Sequence, residues 1–262
     1  MKDINVVTTN SAATRALMIV EVLANSEEPL SLNALCAKIA IPRSTLMRNL
    51  NSLCEAGFVV RLPEQLGYTV GARSVSFCVN ALRTTRFSVA ARSILRRTVS
   101  KINETCNLTV LDEDSVRYLV RVENTAPWSL QLNVKPNTSV PLHCTASGKL
   151  FLSNLSHFEQ STFLKNIELN AFTDNTITDL EEFKKELAKT KRQGFGLDKE
   201  EFVTGMVALA VPVYDPYHKS RIIATVACHA VTARTCLSRL LSYRVVMEEA
   251  AEEVRELLEF NT

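Results

Sequence analysis

Glycine is scarce in this chain, with seven in 262 residues and none in a Gly-rich loop, which excludes a phosphate-cradling nucleotide site. Only one residue is tryptophan, so any core is mainly aliphatic. The seven cysteines (Cys36, Cys54, Cys78, Cys106, Cys144, Cys228 and Cys236) contain no C-x-x-C pair. An odd, scattered set of this kind argues against a disulfide framework or structural zinc site and for reduced thiols. No apolar run approaches the length that crosses a bilayer, and the N-terminus lacks a signal-peptide core. The expectation is a cytoplasmic protein with no membrane partner and no cofactor. Neither sign of charge dominates, because 30 Lys and Arg against 28 Asp and Glu give a formal +2. Binding to a polyanion must therefore come from local segregation of charge.

What is present is an ordinary globular composition, in a chain long enough for two modest domains. Residues 1–10 form a polar arm. From Ser11, the spacing of Ala16, Leu17, Ile19, Val20 and Leu23 predicts a first helix. Ser31 caps a second, with Leu32, Leu35, Cys36 and Ile39 inward. A short break at Ala40-Ile41 leads into Ile41–Gly57, IPRSTLMRNLNSLCEAG. Leu46, Met47, Leu50, Leu53 and Cys54 make one stripe of this helix, and Arg43, Thr45, Arg48, Asn49, Asn51 and Ser52 cover the other face. Pro42 suits the first helical position and Gly57 the residue past the end. FVVRL, the turn PEQLG and YTVG then read as a strand, a turn and a strand. Three helices and a hairpin within about seventy residues make a winged helix-turn-helix over residues 11–71.

The third helix has the chemistry of a recognition helix for double-stranded DNA. Arg48 is placed to pair with guanine and Asn49 with adenine, while Arg43, Ser44 and Thr45 suit phosphates. Arg61 and Tyr68 on the wing suit backbone or minor-groove contacts. Ser31 serves as an N-cap, a phosphate contact or both. Between Lys38 and Arg61, four cations (Lys38, Arg43, Arg48 and Arg61) face the single acid Glu55, the local segregation that a polyanion requires.

Residues Arg73 to Lys101 carry seven cations and no acid. A linker helix over 72–86 and a second helix before Cys106 account for the pattern. The arginines either support contacts to a second subunit or to phosphates, or form a solvated basic face. From 87 to 262 the pattern is α+β with an antiparallel sheet. NLTVLDE, SVRYLVRVE and WSLQLNV read as strands, KPNTSVPLHC as a loop, and TASGKLFLSNL as a helix. A short helix at His157–Leu164, an amphipathic one at Asp179–Gln193, and the strands FGLD, MVALAVPVYD and RIIATVACHA follow, before a final helix from about Thr235 to Phe260. The segment Thr145-Ala146-Ser147-Gly148 opens a helix and so presents free N–H groups and a positive dipole end to a carboxylate. Ala146 and Gly148 leave room for a ligand beside it.

Two other chemistries are suggested by residue type. His143 and Cys144 are a nucleophile–base combination by type, but neighbours on an extended segment point to opposite faces, and no second motif supports an enzyme. A thiol switch through Cys144 or Cys228 competes with plain burial of small apolar side chains.

Three separated motifs in order, IPRSTLMRNLNSLCEAGFV, PLHCTASGKLFL and GFGLDKEEFVTGMVALAVPVYD, give the chain a resemblance to IclR-type bacterial transcriptional regulators along nearly its whole length. The resemblance implies a winged helix-turn-helix domain, a linker helix and a GAF-like α/β sensor domain that binds a small effector. It also implies dimers or tetramers on a palindromic operator. Effector contacts are implied at Leu132, within Cys144, Thr145, Ala146, Ser147 and Gly148, and at Asp198, Ala208, Ala227 and His229. Asp198 either accepts a hydroxyl hydrogen bond or caps local backbone, and His229 is either a polar anchor or structural. Ala208 and Ala227 stand where some relatives have polar groups, which favours a less polar or bulkier ligand. One departure is Ala40, where the family turn usually has glycine. A left-handed backbone there would cost alanine on the order of 1 kcal/mol.

Overall fold

A computed structural model describes residues 11–26, 28–63, 67–84, 86–124, 139–218 and 220–259, without the side chains of 82–84. The polar arm, the strand expected at WSLQLNV and the candidate contact Leu132 lie outside the described residues. The chain divides into two compact units, Met1–Asn80 and Ala81–Thr262.

The first unit contains α1 (Ala12–Ala24), α2 (Leu32–Lys38), α3 (Arg43–Glu55), β1 (Val59–Leu62), β2 (Gly67–Val70) and the start of α4 (Ala72–Thr84). Ser31 caps α2, its hydroxyl accepting from the Ala34 N–H at 3.2 Å. Pro42 is the N-cap of α3 rather than its first helical residue, and its carbonyl accepts from Leu46 at 2.9 Å. The turn before α3 does not need the family's glycine. Ile39 is extended and Ala40 is not among the residues with positive φ, so alanine is unstrained there.

The core of this unit is Ile19, Leu23, Leu35, Ile39, Leu46, Leu50, Val59 and Tyr68. Leu17, expected on the inner face of α1, is instead 68% exposed. Strands β1 and β2 pair antiparallel from Val59↔Val70 to Leu62↔Gly67. Leu30 adds a bridge to Tyr68 through two backbone hydrogen bonds of 2.8 and 2.9 Å. That bridge explains Gly67, where φ is +103° and a Cβ would lie 2.3 Å from the Leu30 carbonyl oxygen.

The second unit contains α5 (Arg86–Ile102), β3 (Thr105–Asp112), β4 (Ser115–Val122), β5 (Ser139–Pro141), α6 (Ala146–Asn154), α7 (His157–Asn166), α8 (Leu180–Gln193), β6 (Gly196–Lys199), β7 (Met206–Tyr214), β8 (Ile222–Val231), α9 (Leu237–Ser242) and α10 (Arg244–Glu256). Its sheet has the order β5-β4-β3-β8-β7-β6, with every pair antiparallel. Two details differ from the sequence reading. KPNTSVPLHC holds an edge strand, β5, paired Val116↔Val140, and the final helix is broken at Tyr243 into α9 and α10.

Register assigns the two faces of the sheet, because side chains alternate along each strand. Ala208↔His229, Ala210↔Ala227, Asn107↔Ala227 and Thr109↔Thr225 lie on one face. Ala146 and Leu150 of α6 pack on Ala208, Ala210 and Ala227 of that face, and α8 covers α6 from outside. Helices α5 and α10 cover the other face, which carries Cys106, Leu108, Val226 and Cys228. Every residue from Ala146 to Ser153 is buried, so α6 is a core helix whose polar groups must be satisfied internally.

Leu50 is fully buried between the first three helices of the first unit. Leu50→Ala is expected to destabilise that unit by about 2–5 kcal/mol, read as a lower urea midpoint. A loss under about 1 kcal/mol would contradict the packing described.

Candidate functional sites

The outward face of α3 is set by the stripe that holds it down. With Leu46 and Leu50 fully buried, Arg43, Ser44, Arg48, Asn51 and Ser52 are exposed, whereas Thr45 and Asn49 are half-buried on its flank. The Asn49 amide nitrogen donates back to the Thr45 carbonyl at 2.8 Å. That bond uses one of the two amide hydrogens, so adenine pairing by Asn49 has to share its nitrogen with the helix backbone. Asn51 shares the exposed face with Arg48 and was not among the expected contacts, although the helical period from Ser44 and Arg48 already placed it there.

Beside α3 lies a groove of about 760 Å³ that brings together Ser31, Arg43, Arg61 and Tyr68. The expected wing contact Tyr68 needs correction. It is only 5% exposed and belongs to the core, showing the groove little more than an edge. Arg43 Nη1 donates to Asn33 Oδ1 at 2.8 Å, so Asn33 of α2 holds the guanidinium. Arg61 is exposed on β1. A cationic rim on a concave surface suits a phosphate backbone.

The second candidate site lies where α6 begins. Thr145 is its N-cap: its hydroxyl accepts from the Gly148 N–H at 3.2 Å, and its carbonyl accepts from the Lys149 N–H at 3.0 Å. The N–H groups of Ala146 and Ser147 have no acceptor among the described residues, although both residues are buried. A chain of hydroxyls links this turn to the sheet. Thr225 Oγ1 donates to Ser147 Oγ at 2.8 Å and lies 2.7 Å from Thr109 Oγ1. Gly148 does not make room for a ligand. A Cβ on it would lie 2.2 Å from the Leu142 carbonyl oxygen, so its bare Cα lets the backbone before the helix pack closely.

Register brings Asp198, Ala208, His229 and Thr105 into one row across β6, β7, β8 and β3, and Ala227, Asn107 and Arg121 into the next. Asn107, Tyr118 and Arg121 were not expected in the site. Arg121 Nη1 donates to Asn107 Oδ1 at 3.0 Å and its Nε to Glu123 at 3.1 Å. The Tyr118 ring meets His229 edge-on, 6.4 Å between centroids. Asp198 resolves its open alternative locally, since Oδ1 accepts the Glu201 N–H at 2.8 Å and caps the loop.

Burial sets the protonation of the titratable groups on this face of the sheet. Asp198 is pushed up to about 7, mainly by desolvation. His229 is held down at about 4, first by desolvation and then by the charge of Arg121, so its imidazole is neutral near pH 7. Burial, with Asp198 and Glu201 nearby, pushes the Cys144 thiol up to about 12. Cys228 is also raised well above the ordinary thiol range by burial. A reactive thiol needs the opposite shift. His143 Nε2 sits 3.0 Å from the Asn170 carbonyl oxygen and its ring meets Phe172 and Phe183, so it is engaged away from the Cys144 thiol.

Comparison with known proteins covers both parts of the chain. The description "IclR helix-turn-helix domain" matches residues 12–63, and "Bacterial transcriptional regulator IclR C-terminal" matches residues 79–256. The probable transcriptional regulator SauR of Cupriavidus necator is 37% identical over 94% of this chain and 96% of its own length. The crystal structure of the Thermotoga maritima IclR protein aligns with a TM-score of 0.62 at 26% identity, covering 95% of this chain and 98% of that one. An inducer-binding domain of PobR from Acinetobacter, solved as a double mutant with 3-hydroxybenzoic acid, aligns with a TM-score of 0.59 at 26% identity. It covers 65% of this chain and 98% of that one. These relatives are transcriptional regulators rather than enzymes.

Asp198 supplies a test of the chamber's polarity. Its pKa is higher folded than unfolded, so the folded state holds the extra proton between about pH 4 and pH 7, and stability falls as pH rises through that window. Asp198→Asn keeps an acceptor for the Glu201 N–H and removes the titration. Denaturant unfolding at pH 5 and pH 8 is expected to show the variant gaining on the wild type at the higher pH, by up to a few kcal/mol. A difference that does not change with pH would contradict the buried, protonated carboxyl.

Proposed function

This chain belongs to the IclR family of bacterial transcriptional regulators, and on that premise we propose that its operator affinity is set by a small organic or aromatic acid bound beneath α6. The N-terminal domain binds double-stranded DNA through Ser44, Arg48 and the flanking Thr45 and Asn49, with Ser31, Arg43 and Arg61 on the backbone. A palindromic operator and a dimer or tetramer of the chain, acting in the cytoplasm, complete the reading. The C-terminal domain from about residue 87 binds the effector, and the segment 72–86, which contains α4, links the two functions.

The observation that carries the effector class is the buried first turn of α6, whose Ala146 and Ser147 N–H groups have no acceptor among the described residues. Such a turn favours an oxyanion through both its free donors and its dipole. A raised Asp198 removes a repelling charge from the same chamber near neutral pH. Cys144, Thr145, Ala146, Ser147, Asp198, Ala208, Ala227 and His229 are the residues around this space, and the aromatic acid in the PobR domain is the same ligand class.

Both halves are testable on the purified full chain. A thermal-shift screen with sodium acetate, succinate, benzoate and 3-hydroxybenzoate is expected to find at least one acid that raises the melting temperature; saturation at about a hundred times Kd is worth about 2.7 kcal/mol. No shift from any carboxylate would sink the acid reading. In gel-shift titrations, Arg48→Ala is expected to weaken specific DNA by about 1–3 kcal/mol with little change on nonspecific DNA. Equal losses on both would remove its base-reading role.

A further inference from the structure

The chamber beneath α6 contains a donor that folding alone does not explain. Asn107 on β3 is 0% exposed, and its Nδ2 has no hydrogen-bond partner. A buried amide left half-satisfied is costly, and such groups are rare enough to need an explanation. Its orientation is not loose. Arg121 Nη1 holds Oδ1 at 3.0 Å, and Arg121 is itself tied to Glu123. With Oδ1 engaged, Nδ2 points as the free end of a fixed amide.

Its position is defined by register. Asn107 lies directly across from Ala227 on β8, and Ala227 packs against Ala146, the first residue of α6. Two residues along the same face, Thr109 joins through Thr225 to Ser147. The amide therefore lies one row from the two free N–H groups of the helix. In the adjoining row His229 Nε2 is also buried without a partner. Unsatisfied donors from a strand and a helix thus lie on the one face of the sheet that α6 covers, and their common complement is an acceptor oxygen.

We propose that Asn107 Nδ2, aimed by Arg121, donates directly to an oxygen of the acid effector. Asn107 is the ligand-contacting residue, and Arg121 is its positioning residue. The inference rests on the acid-effector reading and adds to it a group that neither the family resemblance nor the comparisons assign.

The test uses Asn107→Asp and Asn107→Leu in the full chain, with the sodium acids that shift the wild type as probes. Asn107→Asp keeps the shape and the Arg121 partner but turns the donor into a carboxylate oxygen. It is expected to abolish the acid-induced shift, whereas a structural role served by the Arg121 bond would leave the shift intact. Asn107→Leu removes the unsatisfied amide at similar volume. It is expected to melt without acid at or above the wild-type temperature, yet to bind the same acid about tenfold or more weakly. Binding within about twofold of wild type in both variants would overturn the proposal. So would a large fall in the acid-free melting temperature of both variants, since that marks Asn107 as structural. If no acid shifts the wild type, the parent reading fails before the variants are compared, and this inference falls with it.

Discussion

A lysine that never meets water organises the effector domain. Lys149 on α6 is 0% exposed, with its Nζ 2.5 Å from Glu201 and 3.7 Å from Glu186. A buried ammonium is tolerable only when paired, and removal of one partner of such a pair costs about 3–5 kcal/mol. The ion pair therefore fixes the loop after β6 against α6. Glu201 Oε1 also accepts from the Lys199 N–H at 3.3 Å, while the Glu201 N–H closes onto Asp198. Thr173 and Thr176 hold the Glu200 and Glu201 carbonyls from the other side, each at 2.6 Å. Asp198 faces the chamber because this loop cannot run elsewhere.

The same constraint explains why polar groups are buried where α6 begins. A helix buried along its length must begin somewhere, and the first N–H groups of α6 begin inside the domain. Thr145 satisfies one of them, the Thr225–Ser147 bond ties the turn to the sheet, and two N–H groups are left over. Small side chains at Ala208, Ala210 and Ala227 let the helix lie close to the strands. Larger polar groups share those rows, His229 beside Ala208, and Asn107 and Arg121 beside Ala227. Free donors, a neutral imidazole and a carboxyl that titrates only near 7 would let the proposed site take an anion without an exposed cation.

Much of this was legible in the sequence, for identifiable reasons. The helices of the first unit follow from period and caps, and Ser31 caps where its residue type predicts. The winged helix and the antiparallel α+β domain follow from element order. Local pattern failed where tertiary partners decide. Tyr68 reads as an exposed wing residue until Leu30 pairs with it. Gly148 reads as ligand space, yet the close neighbour is the Leu142 backbone. Asn107 and Arg121 look like the wet side of an ordinary strand. Only the pairing of residue 107 with residue 227 turns that side toward α6, and no local signal encodes a register spanning so much chain. The break at Tyr243 was invisible because the helical pattern continues across it.

The central claim is that an anion beneath α6 and DNA on α3 are thermodynamically coupled. The most direct measurement is the Kd for a fluorescent DNA fragment, chosen by selection for tight binding, with and without a saturating acid from the thermal-shift screen. The account predicts a change of about 5–150-fold. It also predicts the same factor when acid affinity is measured with and without that DNA, because coupling of this kind is reciprocal. An acid that binds tightly and leaves the DNA Kd unchanged would contradict it.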